Sequence, residues 1–230
     1  MRFEGRTVVV TGGTGALGAA IVALIAGEGG RCVVPSHRPA EAPKVAGPGS
    51  VEIVAGIDLA DEASVEKFYA GLPACWASIH AAGGFTMGPI ARTGKADFQK
   101  MMETNALTAF LCCREAAKRM RAAGVGGRIV NVAAKPALHA VGGMVAYSMS
   151  KAAVVSLTQS LAEEVAGDGI WVNAVVPSVM DTAANRASFP AGTDFSKWPK
   201  VEEVAETVAF LASPENKVSR GGLMPVYGRA

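Results

Sequence analysis

Short, unbroken apolar runs punctuate this chain, and glycine or a polar turn closes almost every one. Thr7-Val8-Val9-Val10, Arg31 to Pro35, Val51 to Ile57, Ser78 to Gly84 with its glycine exit, Arg128 to Ala134 and Ile170 to Val176 each read as a strand, with Gly222 to Val226 a last edge strand. The inner runs are continuous rather than alternating, as a strand buried on both faces of a parallel sheet requires. Between them, Ala19 to Ala26, Glu62 to Gly71 (Asp61 placed to cap it), Asp97 to Met120, the stretch from Tyr147 to a stop near Gly167 and Gly169, and Val201 to Ala212 predict helices. Asp181 to Trp198 predicts a loop long enough to serve as a lid or binding segment. Seven strand signals alternating with helices specify an α/β fold, a doubly wound parallel sheet with helices on both faces, in one domain over residues 1–230 with a lid at about 181–199.

Composition narrows the picture without changing it. A chain of 230 residues, 50% hydrophobic and 18% charged with 27 glycines, has material for one sizeable core. A net charge of +2 and no basic stripe argue against nucleic acid and membrane partners. Thr7 to Gly27 is uncharged and follows Arg2 and Arg6, so it could pass for a leader or a membrane span; glycines and threonines at 11–15 break it, and the remainder is too short. Cys32, Cys75, Cys112 and Cys113 fit neither a zinc site nor a disulfide framework, so no metal is expected and a reducing cytoplasm is the default. No repeat or linker is evident.

Ligands bind such sheets beyond the carboxyl ends of the strands, and the candidate chemistry gathers there. Thr11-Gly12-Gly13-Thr14-Gly15-Ala16-Leu17-Gly18 joins the first strand to the first helix. Glycines let backbone approach a pyrophosphate, and the helix N-terminus supplies N–H groups and a positive dipole, so this loop predicts a Rossmann-type dinucleotide site. Ser36-His37-Arg38 closes the second strand. A neutral residue followed by cations suits a 2′-phosphate, which favours NADP(H) over NAD(H). Asp58 and Leu59 are placed to contact adenine, and Ala82 and Gly83 to lie against a ribose. His80 sits inside an apolar strand and reads as a satisfied core histidine rather than a catalytic one. Asn105 falls within a long helix, where a buried amide must find partners; it either pins the helix or holds a water at the reaction centre. Tyr147 and Lys151 lie four apart, on one helical face. A cation ~4 Å from a half-buried phenol is worth up to ~4 kcal/mol, roughly three pKa units, enough to bring a tyrosine toward neutrality as a general acid.

With these residues in view, the chain resembles the short-chain dehydrogenase/reductase family along essentially its whole length: the Thr11–Gly18 loop, Asp58, the Ala81-Ala82-Gly83 exit, Asn105, Tyr147 with Lys151, Asn173, and Pro177 to Thr182. The resemblance implies that Tyr147 is the general acid/base, that Lys151 lowers its pKa and bonds the nicotinamide ribose, that Asn105 supports a proton relay, and that Pro177, Val179 and Thr182 lie against the cofactor. It also implies a homodimer or homotetramer. Small residues on the Tyr147 helix (Ala152, Ala153, Ser156, Ser160) would permit close approach, with Asp97 to Met120 as a further surface.

The departures carry information. Thirteen residues before the tyrosine, where the family has its catalytic serine, stands Ala134; the asparagine pair after the fourth strand is His80-Ala81, and the glycine after Pro177 is Ser178. Losing such a hydroxyl donor costs about 10²–10³ in rate on a carbonyl. The dihydropteridine reductase branch also has alanine there, and this chain is similar to it at Gly13-x-Gly15-Ala16-Leu17-Gly18, Ala82-Gly83-Gly84-Phe85, Ala134-Lys135-x-Ala137-Leu138, and Asp181-Thr182-x-x-Asn185-Arg186-x-Ser188 running to Asp194-Phe195-Ser196-x-Trp198. That branch reduces a quinonoid dihydropterin, a conjugated imine rather than a ketone, and typically has an acid after the second strand, which Ser36 is not. The resemblance therefore implies an NAD(P)H-dependent reductase of a quinonoid or imine substrate, with Phe85, Lys135, Phe189 and Trp198 toward that substrate. Alternatives are another carbonyl or alcohol substrate, and, from a different class, a nucleotide-binding sensor or scaffold, which Ala134 favours and Tyr147, Lys151 and Asn105 oppose.

Overall fold

In the computed structural model, which describes residues 1–229, the fold is laid on β1 (Thr7–Thr11), every residue of which is buried. Val8 and Val10 enter one core and Val9 the other, which is why the run is apolar without alternation. The chain continues through α1 (Ala16–Gly27), β2 (Arg31–Ser36), β3 (Ser50–Ala55), α2 (Glu62–Ala70), β4 (Ala77–His80), α3 (Lys95–Met101), α4 (Thr108–Ala123), β5 (Gly127–Val132), α5 (Val145–Glu164), β6 (Ile170–Pro177), α6 (Ala183–Ala187), α7 (Val201–Ala212) and β7 (Leu223–Val226). All seven strands are parallel, in the order β3-β2-β1-β4-β5-β6-β7. Strand order reverses between β1 and β4, which opens a crevice above their carboxyl ends. α1 and α7 cover one face, burying Ile21, Ile25, Val208 and Leu211 against Val8, Val34 and Val130. α2, α4 and α5 cover the other, with Phe68, Leu111 and Val165 against Val9, Val33 and Ile129.

Asp61 caps α2 as expected, its Oδ1 accepting the Ser64 N–H at 2.6 Å. The alternation of strand and helix is broken once, between β2 and β3: Pro39, Pro43 and Pro48 remove donors and clash with a helical turn, and the segment runs irregularly against α1. Gly49 lies so close there that a Cβ would meet Ala26 O at 2.3 Å. The helix expected over 97–120 begins at Lys95 and reaches Ala123, but a π-helical turn over Met102–Leu107 interrupts it. The lid stretch also has structure of its own. It holds α6, capped by Thr182 Oγ accepting Asn185 N–H at 3.1 Å, and a 3₁₀ turn at Phe195–Lys197. Its base is closed where Asp181 N–H donates to Pro199 O at 2.9 Å. Among the described residues no helix is long and apolar enough to cross a membrane, and the four cysteines are buried and free.

Candidate active site

The loop after β1 is built on close backbone approaches. Gly12 has φ +67°, and a Cβ there would lie 2.7 Å from Ala82 N. A Cβ on Gly18 would lie 2.0 Å from Gly12 O, so only glycine lets α1 begin where it does. Thr14, Gly15 and Ala16 are exposed, no side chain caps α1, and its first turn carries no acid. Unpaired N–H groups at an open, uncapped helix end suit a pyrophosphate, so this cradle fits the diphosphate of a dinucleotide. Leu17 differs from its neighbours: it is buried in the core among Ile21 and Val34, and only its backbone remains for a ligand.

Along the same rim, Ile57 N–H donates to Ser36 O (3.0 Å), which brings the ends of β2 and β3 together. Ser36 Oγ donates to Arg38 O at 2.6 Å, which shapes the turn, while His37 and Arg38 are exposed and Arg38 enters no ion pair among the described residues. Asp58 is exposed, with Oδ1 accepting Ala60 N–H at 2.9 Å; Leu59 packs on the α2 side of the core. Pro177 ends β6 buried, Val179 is exposed, and the Thr182 hydroxyl is spent on capping α6.

Asn105 sits in the π turn, a distortion that often marks functional positions. Its amide accepts Gly84 N–H (2.9 Å) and donates to Gly84 O (3.0 Å) and Ser150 Oγ (3.0 Å). The side chain therefore pins the β4 exit to α5, which settles what its amide bonds to. Lys151 is buried and donates to Val132 O at 2.8 Å. Gly83 lies against both, since a Cβ there would meet Asn105 Oδ1 at 2.7 Å and Lys151 Nζ at 3.3 Å. The expected depression of the Tyr147 pKa is not what the chain shows. Burial pushes the phenol up to about 12 and the Lys151 ammonium down to about 8. Helical spacing puts the two on one face, but Lys151 turns toward the Val132 carbonyl, and burial disfavours the charged form of each group. Tyr147 is thus a protonated phenol at neutral pH, the form that donates.

Ala134 is buried at 5% exposure and begins the 3₁₀ turn Lys135–Ala137. Phe85 is 58% exposed and meets the Tyr147 ring edge-on at 5.0 Å. Phe189 and Trp198 meet edge-on within the lid at 4.7 Å, as do Phe195 and Trp198, with Arg186 over Phe195. They cluster on one another within the lid, and among the described residues no ring contact joins them to Phe85 or Tyr147. Lys135 Nζ lies 4.8 Å over the ring of Tyr227, which also meets His139. Sequence reasoning missed Tyr227: it follows the edge strand β7, and only sheet order brings it beside the β5 exit. His80 behaves as a core residue, with Nε2 bonded to Ser78 Oγ and Nδ1 to Asn131 Oδ1, each at 2.8 Å. Burial lowers its pKa to about 4.

A glycine cradle at a helix end, a buried lysine, a protonated phenol and an open aromatic face lie along one crevice. Residues 6–192 match the family model for short chain dehydrogenase. The chain belongs to this family. A short-chain type dehydrogenase/reductase from Picea abies is 30% identical over 97% of this chain and 92% of its own length. A cis-4-hydroxycyclohexanecarboxylate dehydrogenase from Sinomonas cyclohexanicum is 33% identical over 98% and 96%. A solved short chain dehydrogenase/reductase family protein superposes with a TM-score of 0.88 at 31% identity, covering 99% and 98% of the two chains. This short-chain dehydrogenase is accordingly an oxidoreductase, and NAD(P) is the family's cofactor.

Proposed function

We propose that this protein reduces a quinonoid or conjugated-imine substrate of the dihydropterin class with a reduced nicotinamide. The observation that carries the reading is Ala134: a buried methyl stands where a second hydrogen-bond donor would hold a ketone oxygen. A conjugated imine needs only one proton donor. Bound, the cofactor supplies hydride. The chain supplies position and a proton. Gly12, Gly15, Ala16 and Gly18 would present backbone to the diphosphate, and Asp58, Ala82 and Gly83 would border the adenosine and ribose. Lys151, held by Val132 O, would bond the nicotinamide ribose. Tyr147 gives its phenolic proton to the reduced substrate's nitrogen and regains one from solvent through the Lys151–Asn105 side. Phe85 offers a face for a planar ring, with Lys135 and the lid residues Phe189 and Trp198 beyond it. Ser36, His37 and Arg38 support NADPH over NADH.

The test is parallel NADPH and NADH oxidation with a chemically generated quinonoid dihydropterin and with a simple aldehyde. Turnover on the pterin is expected, with Tyr147→Phe losing it while cofactor binding survives; Tyr147→Phe at full rate would sink the assignment. A second reading, an alcohol or carbonyl substrate, draws on relatives named sorbitol dehydrogenase, D-threitol dehydrogenase and meso-2,3-butanediol dehydrogenase. Activity on the aldehyde alone selects it. Cofactor binding without turnover on any substrate selects a sensor. For assembly, the exposed Phe110 (48%) and Met149 (50%) on α4 and α5 support a homodimer or tetramer, and a monomeric mass by light scattering at micromolar concentration refutes it.

A further inference from the structure

Beside the Phe85–Tyr147 pair lies a cavity of about 250 Å³. Its walls are the β4–α3 connection and the segment leading into α5, tied together where Gly88 N–H donates to Gly143 O at 2.8 Å. Thr86 and Met87, which follow Phe85, and Val145 and Ala146, which precede Tyr147, all line it, so it adjoins the Phe85–Tyr147 pair. Whole ligand pockets run to ~300–1,000 Å³; a space this size holds one edge of a ligand.

Two opposite charges share that lining without meeting. Arg92 is exposed, and its guanidinium enters no ion pair or hydrogen bond among the described residues. Asp97 spends Oδ2 on the Gly94 N–H (2.9 Å) and leaves Oδ1 open. A guanidinium offers paired N–H donors to an acceptor, and a carboxylate oxygen accepts from an N–H. Opposite charges that line one cavity without pairing with each other complement a group that carries an acceptor and a donor side by side.

We propose that this cavity recognises the amidino-lactam edge of the substrate, the 2-amino-4-oxo edge of a pterin, with Arg92 on the oxo group and Asp97 on the amino group. This rests on the dihydropterin reading above and gives it a specificity determinant. A ligand bearing only a carboxylate meets Asp97 unfavourably, and one bearing only an amine meets Arg92 unfavourably, so the pair selects the mixed edge.

The experiment uses the full chain, Arg92→Gln and Asp97→Asn, the latter keeping the oxygen that accepts from Gly94. KM and kcat are measured with quinonoid dihydropterin and with a simple quinone that lacks the edge, alongside calorimetric binding of a stable oxidised pterin. Each variant is expected to raise KM for the pterin about 10-fold or more, with kcat, cofactor affinity and the quinone KM unchanged. Pterin turnover with unaltered KM in both variants, or KM rising equally for both substrates, overturns the subsite and leaves the dihydropterin reading standing. Pterin binding that weakens in Arg92→Gln, in an enzyme that does not reduce dihydropterin, upholds the subsite and overturns the reaction. Neither binding nor turnover overturns both.

Discussion

His80 makes the interior of this enzyme acid-sensitive, and the effect can be sized from its surroundings. Tyr69 Oη, Ser78 Oγ, His80, Asn131 and Thr158 Oγ1 form one buried hydrogen-bonded chain, with links of 2.8 to 2.9 Å, that crosses from α2 through β4 and β5 to α5. Burial holds the His80 imidazole neutral, with a pKa of about 4 against 6.5 for the unfolded chain. Because the folded value is the lower one, the unfolded chain takes up the proton first as the pH falls. The stability contribution of neutral His80 is therefore complete above pH 6.5 and is lost progressively down to about pH 4. A gap of about 2.5 pKa units at ~1.4 kcal/mol each caps the loss at about 3 kcal/mol, of which about 2 kcal/mol is gone by pH 5. His80→Gln keeps a donor and an acceptor but cannot titrate. Urea unfolding followed by tryptophan fluorescence at pH 7 and pH 5 should show the parent losing about 2 kcal/mol more than the variant over that interval. Every other group is common to the two proteins and cancels in the difference. Equal losses in the two proteins would refute the assignment of a buried neutral imidazole.

Two further predictions probe the crevice. Ala134→Ser restores a hydroxyl at the β5 exit and should raise kcat/KM on a simple aldehyde at least about 10-fold, part of the ~10²–10³ such donors supply; steady-state kinetics on the aldehyde and the dihydropterin check it, and no gain on the aldehyde refutes it. Ser36→Asp sets a carboxylate beside Arg38 at the end of β2 and should shift the ratio of kcat/KM values toward NADH, with an unchanged ratio refuting the claim that this turn reads the 2′ position.

Much of the architecture was legible because it depends on local signals. Unbroken β-branched runs such as Val8-Val9-Val10 can only be strands covered on both sides, and the glycine loop up to Gly18 can only be a close backbone approach. The spacing of Tyr147 and Lys151 placed both on one face of α5. What spacing could not supply was direction and environment. Lys151 turns to the Val132 carbonyl, and burial decides both pKa values, because desolvation depends on everything packed around a group and not on its neighbours in sequence. The π turn at Asn105 goes with an amide bonded to Gly84 and Ser150 on other elements, which no helical periodicity records. The absence of a helix between β2 and β3 has a local cause in three prolines, Pro39, Pro43 and Pro48. Tyr227, Arg92 and Asp97 meet the crevice only through sheet order and loop packing. The sequence by itself therefore determined the strands, the glycine cradle and the family of chemistry, since those follow from short-range sterics and burial. The protonation states, the aromatic pair at Tyr147 and the cavity with its divided charges were decided by tertiary structure alone, since each depends on groups far apart in the chain being brought within a few ångströms.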